Sequence, residues 1–77
     1  METIIVSTHK DFMGELDDET IELYKKYAKE NLAELGYDVV FDDNLNTYNC
    51  ITPFSWSSNE YRDISDDLEA AWIHAVN

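Results

Sequence analysis

The segment Leu16–Tyr37, "LDDETIELYKKYAKENLAELGY", decides the fold because it contains the beginning, the apolar face and the end of one helix. Asp17 can cap the free amides of a first turn, and Leu16 and Ile21 occupy the two hydrophobic-staple positions. Gly36 is suited to the left-handed conformation that ends a helix, with Leu32 and Tyr37 touching across the cap. Between these ends, apolar residues recur at three- and four-residue spacing, at Ile21, Tyr24, Ala28, Leu32 and Leu35. The segment therefore predicts an amphipathic helix with one buried face.

Strand patterns lie on both sides of this helix. Residues 3–8, "TIIVST", are rich in β-branched side chains and predict an extended strand. After the helix, residues 37–42 alternate between apolar and mostly polar side chains, and residues 48–54 alternate in the same way. The turn-forming sequence "DDNLN" separates the last two runs, which predicts an antiparallel hairpin. Pro53 lacks a backbone donor, so we expect the end of the last strand to lie at a sheet edge.

A second helix is predicted near the C-terminus. Ser57 and Glu60 have the spacing of a capping box, and Trp56 is placed to pack on Tyr61 as a staple. The sequence Ser65-Asp66-Asp67 could instead cap a fresh helix, so a break there is an alternative. The apolar stripe of this helix consists of Tyr61, Ile64, Leu68, Ala71, Trp72 and Ala75.

The order β-α-β-β-α predicts an α+β fold in one compact domain, residues 1–77. A three-stranded sheet with both helices packed on one face is the simplest way to bury both stripes. The first two strands would be parallel, joined by a right-handed crossover through the first helix. The uncovered sheet face would then carry much of the polar set, including Asp38, Asp42 and Asn49.

Neither a metal site nor a cofactor site is expected. Asp42, Asn44 and Asn46 alternate as ligands do in a calcium loop, but such a loop needs glycine at its sixth position and glutamate at its twelfth. Thr47 and Pro53 occupy those positions, so the stretch is interpreted as a turn. The two histidines and one cysteine lack the spacing of zinc ligands.

Enzymatic activity is not expected either. Ser7, Thr8 and His9 are neighbours in sequence, but no glycine-framed nucleophile elbow surrounds them. His74 falls in the last helical turn, where the helix dipole favours a cation, which explains it without catalysis. A chain of 77 residues buries only about 60–65% of its unfolded surface, which leaves little room for a catalytic pocket.

Charge is the feature that bears on function. Seventeen acidic residues and five basic ones give a formal net charge of −12, and both halves of the chain share the excess. Such a surface repels nucleic acid and anionic membranes, so the expected partner is a basic protein. The N-terminus lacks a secretory-signal pattern, and no run approaches the roughly 20 apolar residues of a membrane span. With a single cysteine, this favours the cytoplasm.

The candidate partner-binding residues are acids of the hairpin and the second helix, with nearby aromatic side chains as anchors. Core packing is the competing explanation for each aromatic, and a solvated face that keeps the protein soluble is the competing explanation for the acids. The residues are Asp42, Asp43, Glu60, Asp63, Asp66, Asp67, Glu69, Tyr48, Trp56 and Tyr61.

In size, charge and predicted architecture, and in the stretches "GELDDETIE", "FDD" and "YRDISDDLE", the chain resembles small acidic inhibitors from phages and mobile elements. These are the anti-CRISPR proteins and the DNA-mimic anti-restriction proteins. The resemblance implies a compact, non-enzymatic domain in the cytoplasm of a host bacterium, and we expect a monomer or weak homodimer. It also implies that carboxylates stand in for DNA phosphates and block a basic nucleic-acid-binding protein or CRISPR effector complex.

The lysines of the first helix, Lys25, Lys26 and Lys29, depart from a uniformly acidic mimic. Two alternatives stay open. One is an antitoxin-like or regulatory module that binds a protein without mimicking DNA. The other is a small host protein whose acidity serves only solubility.

Overall fold

The computed structural model describes residues 2–14, 16–46 and 50–77, which form a small α+β fold. The Cα radius of gyration is 11.6 Å, close to the roughly 11.5 Å expected of a compact chain of this length. The elements in chain order are β1 (Thr3–Ser7), α1 (Lys10–Met13), α2 (Asp18–Glu34), β2 (Asp38–Asp42), β3 (Cys50–Ile51) and α3 (Asn59–Val76). The predicted order is therefore confirmed, with one addition. His9 caps the single-turn α1, in a stretch that we expected to be a plain connection.

Helix α2 begins and ends where its sequence predicts. The Asp17 side chain accepts a hydrogen bond of 2.8 Å from the Thr20 N–H, which satisfies one free amide of the first turn. At the other end, Gly36 adopts a φ of 90°. Its N–H donates to the Ala33 carbonyl, and the Tyr37 N–H donates to the Leu32 carbonyl. These two bonds form the predicted Schellman motif.

The sheet has β1 in the centre, in the order β2-β1-β3. β1 pairs in parallel with β2 from Thr3↔Asp38 to Ser7↔Asp42, as the predicted crossover through α2 requires. β3 pairs antiparallel with β1, through Ile5↔Ile51 and Val6↔Cys50.

The predicted β2–β3 hairpin is therefore wrong. β2 ends at Asp42 and β3 begins at Cys50, and β3 is paired with β1 instead of β2. The described part of the connection between β2 and β3, residues 43–46, is tied to the end of β1: the Ser7 hydroxyl donates to the Leu45 carbonyl at 2.5 Å, and the Thr8 hydroxyl donates to the Asp43 carboxylate. These bonds hold the beginning of the connection at the end of β1, and β2 and β3 lie on opposite edges of β1.

β3 is also shorter than the predicted strand 48–54. Tyr48 and Asn49 lie outside the described residues, and the described strand ends at Ile51. Beyond it the Thr52 hydroxyl accepts a hydrogen bond from the Phe54 N–H, and Pro53 has no N–H to donate to a sheet. β3 is an edge strand, as Pro53 suggested.

Helix α3 begins one residue later than predicted and continues through the expected break. Ser58, not Ser57, accepts the capping bond from the Tyr61 N–H at 3.1 Å. The Ser58 hydroxyl and N–H both donate to the Ser55 carbonyl, which fixes Ser58 at the cap. Trp56 therefore misses the staple position and is 82% exposed. Ser65-Asp66-Asp67 lies within one continuous helix.

The core lies between one face of the sheet and the two long helices. Ile4 and Val6 of β1 meet Ala28 and Leu32 of α2 and Ile64 of α3, and all five are completely buried. Both apolar stripes predicted from the sequence face this core, except that Leu35 at the end of α2 is 41% exposed.

The opposite face of the sheet has an aliphatic centre. Cross-strand partners lie on the same face, so the pairs Ile5↔Val40 and Ile5↔Ile51 form a row of three side chains across the sheet. Val40 is 51% exposed and Ile51 is 47% exposed. Asp38 and Asp42 alternate with Val40 on this face, as predicted, but we did not expect the aliphatic row.

Candidate partner-binding surface

The carboxylates of α3 form the largest group of predicted binding residues that the structure places on one element. We call Glu60, Asp63, Asp66, Asp67 and Glu69 the α3 acidic surface. Four of them are exposed and Asp67 is half-buried. Among the described residues, an ion pair joins Lys25 to Glu22, and no ion pair involves the α3 acidic surface. No cationic side chain of the described residues is therefore bound to these five carboxylates.

Glu34 of α2 lies beside part of this surface, although it is not among the binding residues predicted from the sequence. α2 and α3 form the most extensive packing contact in the fold, and the Asn31 side-chain amide donates to the Asp67 carbonyl at 3.2 Å. Glu34 lies one turn beyond Asn31 on α2, on the side that faces α3. We call Glu34, Asp63, Asp66 and Asp67 the Asp67 cluster.

The Asp67 cluster affects the ionisation of its most buried member, Asp67. Partial burial raises the pKa of the Asp67 carboxyl above its ordinary value of 3.8, and the negative charges of Asp63, Glu34 and Asp66 raise it further. All these influences act in one direction because no cation offsets them. The apolar stripe of α2 indicates that Glu34 lies beside the helix contact, but the α3 residues that it faces depend on how the two helices pack.

The other predicted acids are bound to their own loop. The Asp42 carboxylate accepts the Asn44 N–H at 2.9 Å, so the stretch interpreted as a turn is one. The Asp43 carboxylate accepts the Thr8 hydroxyl at 2.5 Å. Both residues hold the β2–β3 connection against the end of β1, and β2 packs mainly against β1 and α2. The structure therefore does not place Asp42 and Asp43 on the α3 acidic surface.

The three predicted aromatic anchors differ from one another. Trp56 is the most exposed large apolar side chain among the described residues, in the turn that leads into α3. Tyr61 is half-buried and packs against the core, so core packing accounts for most of its surface. Tyr48 lies outside the described residues.

Side chains with catalytic potential have structural partners. The His9 imidazole accepts the Asp11 N–H at 3.0 Å and caps α1. His74 stacks on Tyr27 with ring centroids 4.1 Å apart and an angle of 8° between the planes. Burial raises the pKa of the Cys50 thiol to about 11, which disfavours the reactive thiolate.

Two further features are absent from residues 2–14, 16–46 and 50–77. These residues contain no group of three or more histidine, cysteine or acidic side chains arranged to hold a metal ion. They also contain no helix that is both long and apolar enough to cross a membrane.

Comparison with known proteins gives no match: no family model, curated protein or solved structure is similar to this chain.

Proposed function

We propose that this protein is a non-enzymatic inhibitor that docks its α3 acidic surface on a basic nucleic-acid-binding protein and excludes the nucleic acid. The observation that carries the proposal is the Asp67 cluster, four carboxylates on two packed helices that form no ion pair with any cation of the described residues. Repulsion between these neighbouring carboxylates lowers the stability of the fold. A basic partner would supply the missing counter-charge.

The physical basis is competition, in which the carboxylates of this protein replace the phosphates of the nucleic acid on the basic surface of the partner. Duplex DNA presents one charge per ~1.7 Å of axis, and a channel lined with Lys and Arg gains affinity by neutralising those charges. Two packed helices hold carboxylates in fixed positions, so they offer the same neutralisation without base pairs to read. The partner would be a nucleic-acid-binding protein of the bacterial cytoplasm, such as a CRISPR effector complex.

Displacement of nucleic acid from the partner tests this proposal. The immobilised protein captures basic proteins from a bacterial lysate at low salt, and each captured protein is then purified with its bound DNA or RNA. We expect the free protein to displace a labelled oligonucleotide from at least one of them. Displacement should weaken steeply as salt rises, because both surfaces regain their counterions. Partners that keep their nucleic acid while bound to this protein would contradict the proposal.

A second function is favoured by the aliphatic row on the open sheet face. Exposed Val40 and Ile51 suit an antitoxin-like or regulatory module that binds a protein through apolar contacts, without DNA mimicry. Such binding would change little with salt, so the same titration distinguishes the two functions.

A further inference from the structure

A cleft of about 420 Å³ lies where α1, α2 and α3 meet beyond the end of β1. Its volume is within the range of about 300–1,000 Å³ typical of small-ligand pockets. Buried Met13, Tyr24 and Leu68 line it, together with the aromatic rings of Phe12 and Trp72. The rings of Tyr24 and Trp72 meet edge to face, with centroids 5.6 Å apart and an angle of 75° between the planes.

The single formal charge among the residues that line this cleft is the Glu69 carboxylate. Ser65, Glu69 and Trp72 follow one another at four- and three-residue spacing on α3, so they lie along one face of that helix. Glu69 is exposed and forms none of the ion pairs of the described chain. The cleft thus combines aromatic rings with one unneutralised carboxylate at its side.

We infer that this cleft receives an arginine side chain of the basic partner, an inference that rests on the proposed function. A cation is attracted to an aromatic face, most strongly to that of tryptophan. Arginine fits better than lysine because its planar guanidinium stacks on rings, holds its water weakly and forms paired hydrogen bonds with a carboxylate. An apolar occupant would remove water from Glu69 without replacing it by a cation, which is unfavourable.

The location of the cleft connects it to the proposed interface. Glu69 belongs to the α3 acidic surface as well as to the cleft, so one partner could place an arginine in the cleft while neighbouring basic residues meet Asp66 and Asp63. Interfaces of this kind commonly depend on a few buried aromatic and arginine anchors surrounded by weaker polar contacts. The arginine would therefore fix the position of a partner that the other carboxylates attract.

Tryptophan fluorescence tests the inference without the macromolecular partner. The chain has two tryptophans, and Trp56 is 82% exposed outside the cleft. The Trp56→Phe variant therefore leaves Trp72 as the reporter. It is titrated with acetyl-Gly-Arg-Gly-amide, and in parallel with peptides that carry citrulline or leucine in place of arginine. Citrulline preserves the shape of arginine without its charge.

We expect a saturable change in Trp72 emission with the arginine peptide and binding at least about tenfold weaker with the other two, since one charge-assisted contact is lost. Adding Glu69→Gln should reduce arginine-peptide binding to the citrulline level. Glu30→Gln, which removes an exposed carboxylate of α2 outside the cleft, should leave it unchanged. Equal binding of the leucine peptide, no saturable change, or an equal effect of both variants would overturn the inference.

These outcomes separate the inference from the proposed function. If the arginine peptide binds but no partner loses its nucleic acid, the proposed function is wrong and the cleft is still an arginine site. If nucleic acid is displaced but the arginine peptide does not bind, the arginine anchor is wrong and the acidic surface stands without it.

Discussion

Replacing Asp67 by Asn should make the protein more stable at neutral pH. Asp67 is half-buried on α3, and burial and the charges of Asp63, Glu34 and Asp66 all oppose its ionisation. Asn preserves the shape and has a helix propensity close to that of Asp. The Asn31 amide donates to the Asp67 backbone carbonyl, so this bond survives the substitution.

The expected gain follows from the like charges that face Asp67. Asp63 precedes it by four residues on α3, and Glu34 faces it from α2. A like-charge pair at four-residue spacing on a helix costs about 0.2–0.5 kcal/mol, so two contacts of this size cost about 0.4–1 kcal/mol. For a domain of 60–100 residues, 1 kcal/mol shifts the Tm by about 4–8 °C. The Tm of Asp67→Asn should therefore rise by roughly 2–8 °C relative to the wild type.

The gain must also depend on pH in one direction. Because the folded-state pKa of Asp67 is raised, the neutral form stabilises the fold at low pH and this stabilisation is lost as pH rises through that pKa. The advantage of Asp67→Asn should thus be complete above the raised pKa and disappear below the ordinary value of 3.8. Thermal unfolding followed by circular dichroism in both pH ranges measures it.

Glu2→Gln is the matched control, because it removes one exposed charge outside the Asp67 cluster and should change the stability by less than about 0.5 kcal/mol. An unchanged or lower Tm for Asp67→Asn at neutral pH would refute the reasoning. So would a gain that persists in acid, or one equal to that of the control.

Leu32→Ala should cost about 2–5 kcal/mol in urea unfolding because Leu32 is fully buried, whereas Leu35→Ala at a 41% exposed site should cost less than about 1 kcal/mol; similar losses would contradict the assigned core. Asp17→Ala should lower the Tm and Asp17→Asn should largely retain it, because either side chain can accept the Thr20 N–H. Hydrogen bonds from the Thr20 side chain and backbone lower the pKa of Asp17, so the stability due to this carboxylate should be present above its ordinary pKa and be lost as pH falls through the lowered one; a loss that begins only at alkaline pH would contradict this sign. Cys50 should react with a thiol reagent in urea but hardly in buffer, since it is buried with a pKa of about 11; rapid labelling of the native protein would contradict this placement.

Local signals predicted the helices well. The Asp17 cap, the apolar stripe of α2 and the Gly36 ending depend on residues within one or two turns of each other, and the structure contains all three. The start of α3 was misplaced because the sequence offers two adjacent serines. A turn bond from Ser58 to the Ser55 carbonyl, which motif spacing does not show, decides between them.

Strand pairing was predicted less well because it depends on contacts distant in sequence. The pattern of the run "TIIVST" does not indicate which strands lie beside it in the sheet. In the structure, β1 pairs with both other strands. The hydrogen bonds from Ser7 to Leu45 and from Thr8 to Asp43 hold the β2–β3 connection at the end of β1, and β3 lies on the other edge of β1. Nothing in the sequence around Ser7 and Thr8 indicates that they form these long-range hydrogen bonds.

The sequence predicted which kinds of residue form the candidate site, but not how these residues are arranged in space. The abundance of acids on α3 is visible in "YRDISDDLE". The inclusion of Glu34, and the separation of Asp42 and Asp43 from α3, follow from helix packing and loop hydrogen bonding. The cleft between α1, α2 and α3 requires the one-turn helix α1, which was not predicted from the sequence.

The central claim is that the position of the carboxylates on α3, and not the net charge alone, creates the partner surface. Two triple variants of equal charge test it most directly. One carries Asp63→Asn, Asp66→Asn and Asp67→Asn, and the other carries Glu2→Gln, Glu22→Gln and Asp38→Asn at exposed sites outside α3. Each raises the formal net charge of −12 by three units.

The measurement is the Kd of each variant for the captured partner at one fixed salt concentration, with the Tm recorded to confirm folding. The account predicts that the α3 variant binds at least about tenfold more weakly than the wild type, while the control variant stays within about threefold. If both variants bind equally weakly, net charge alone explains the interaction and the central claim is contradicted. Undiminished binding by the α3 variant would place the interface elsewhere.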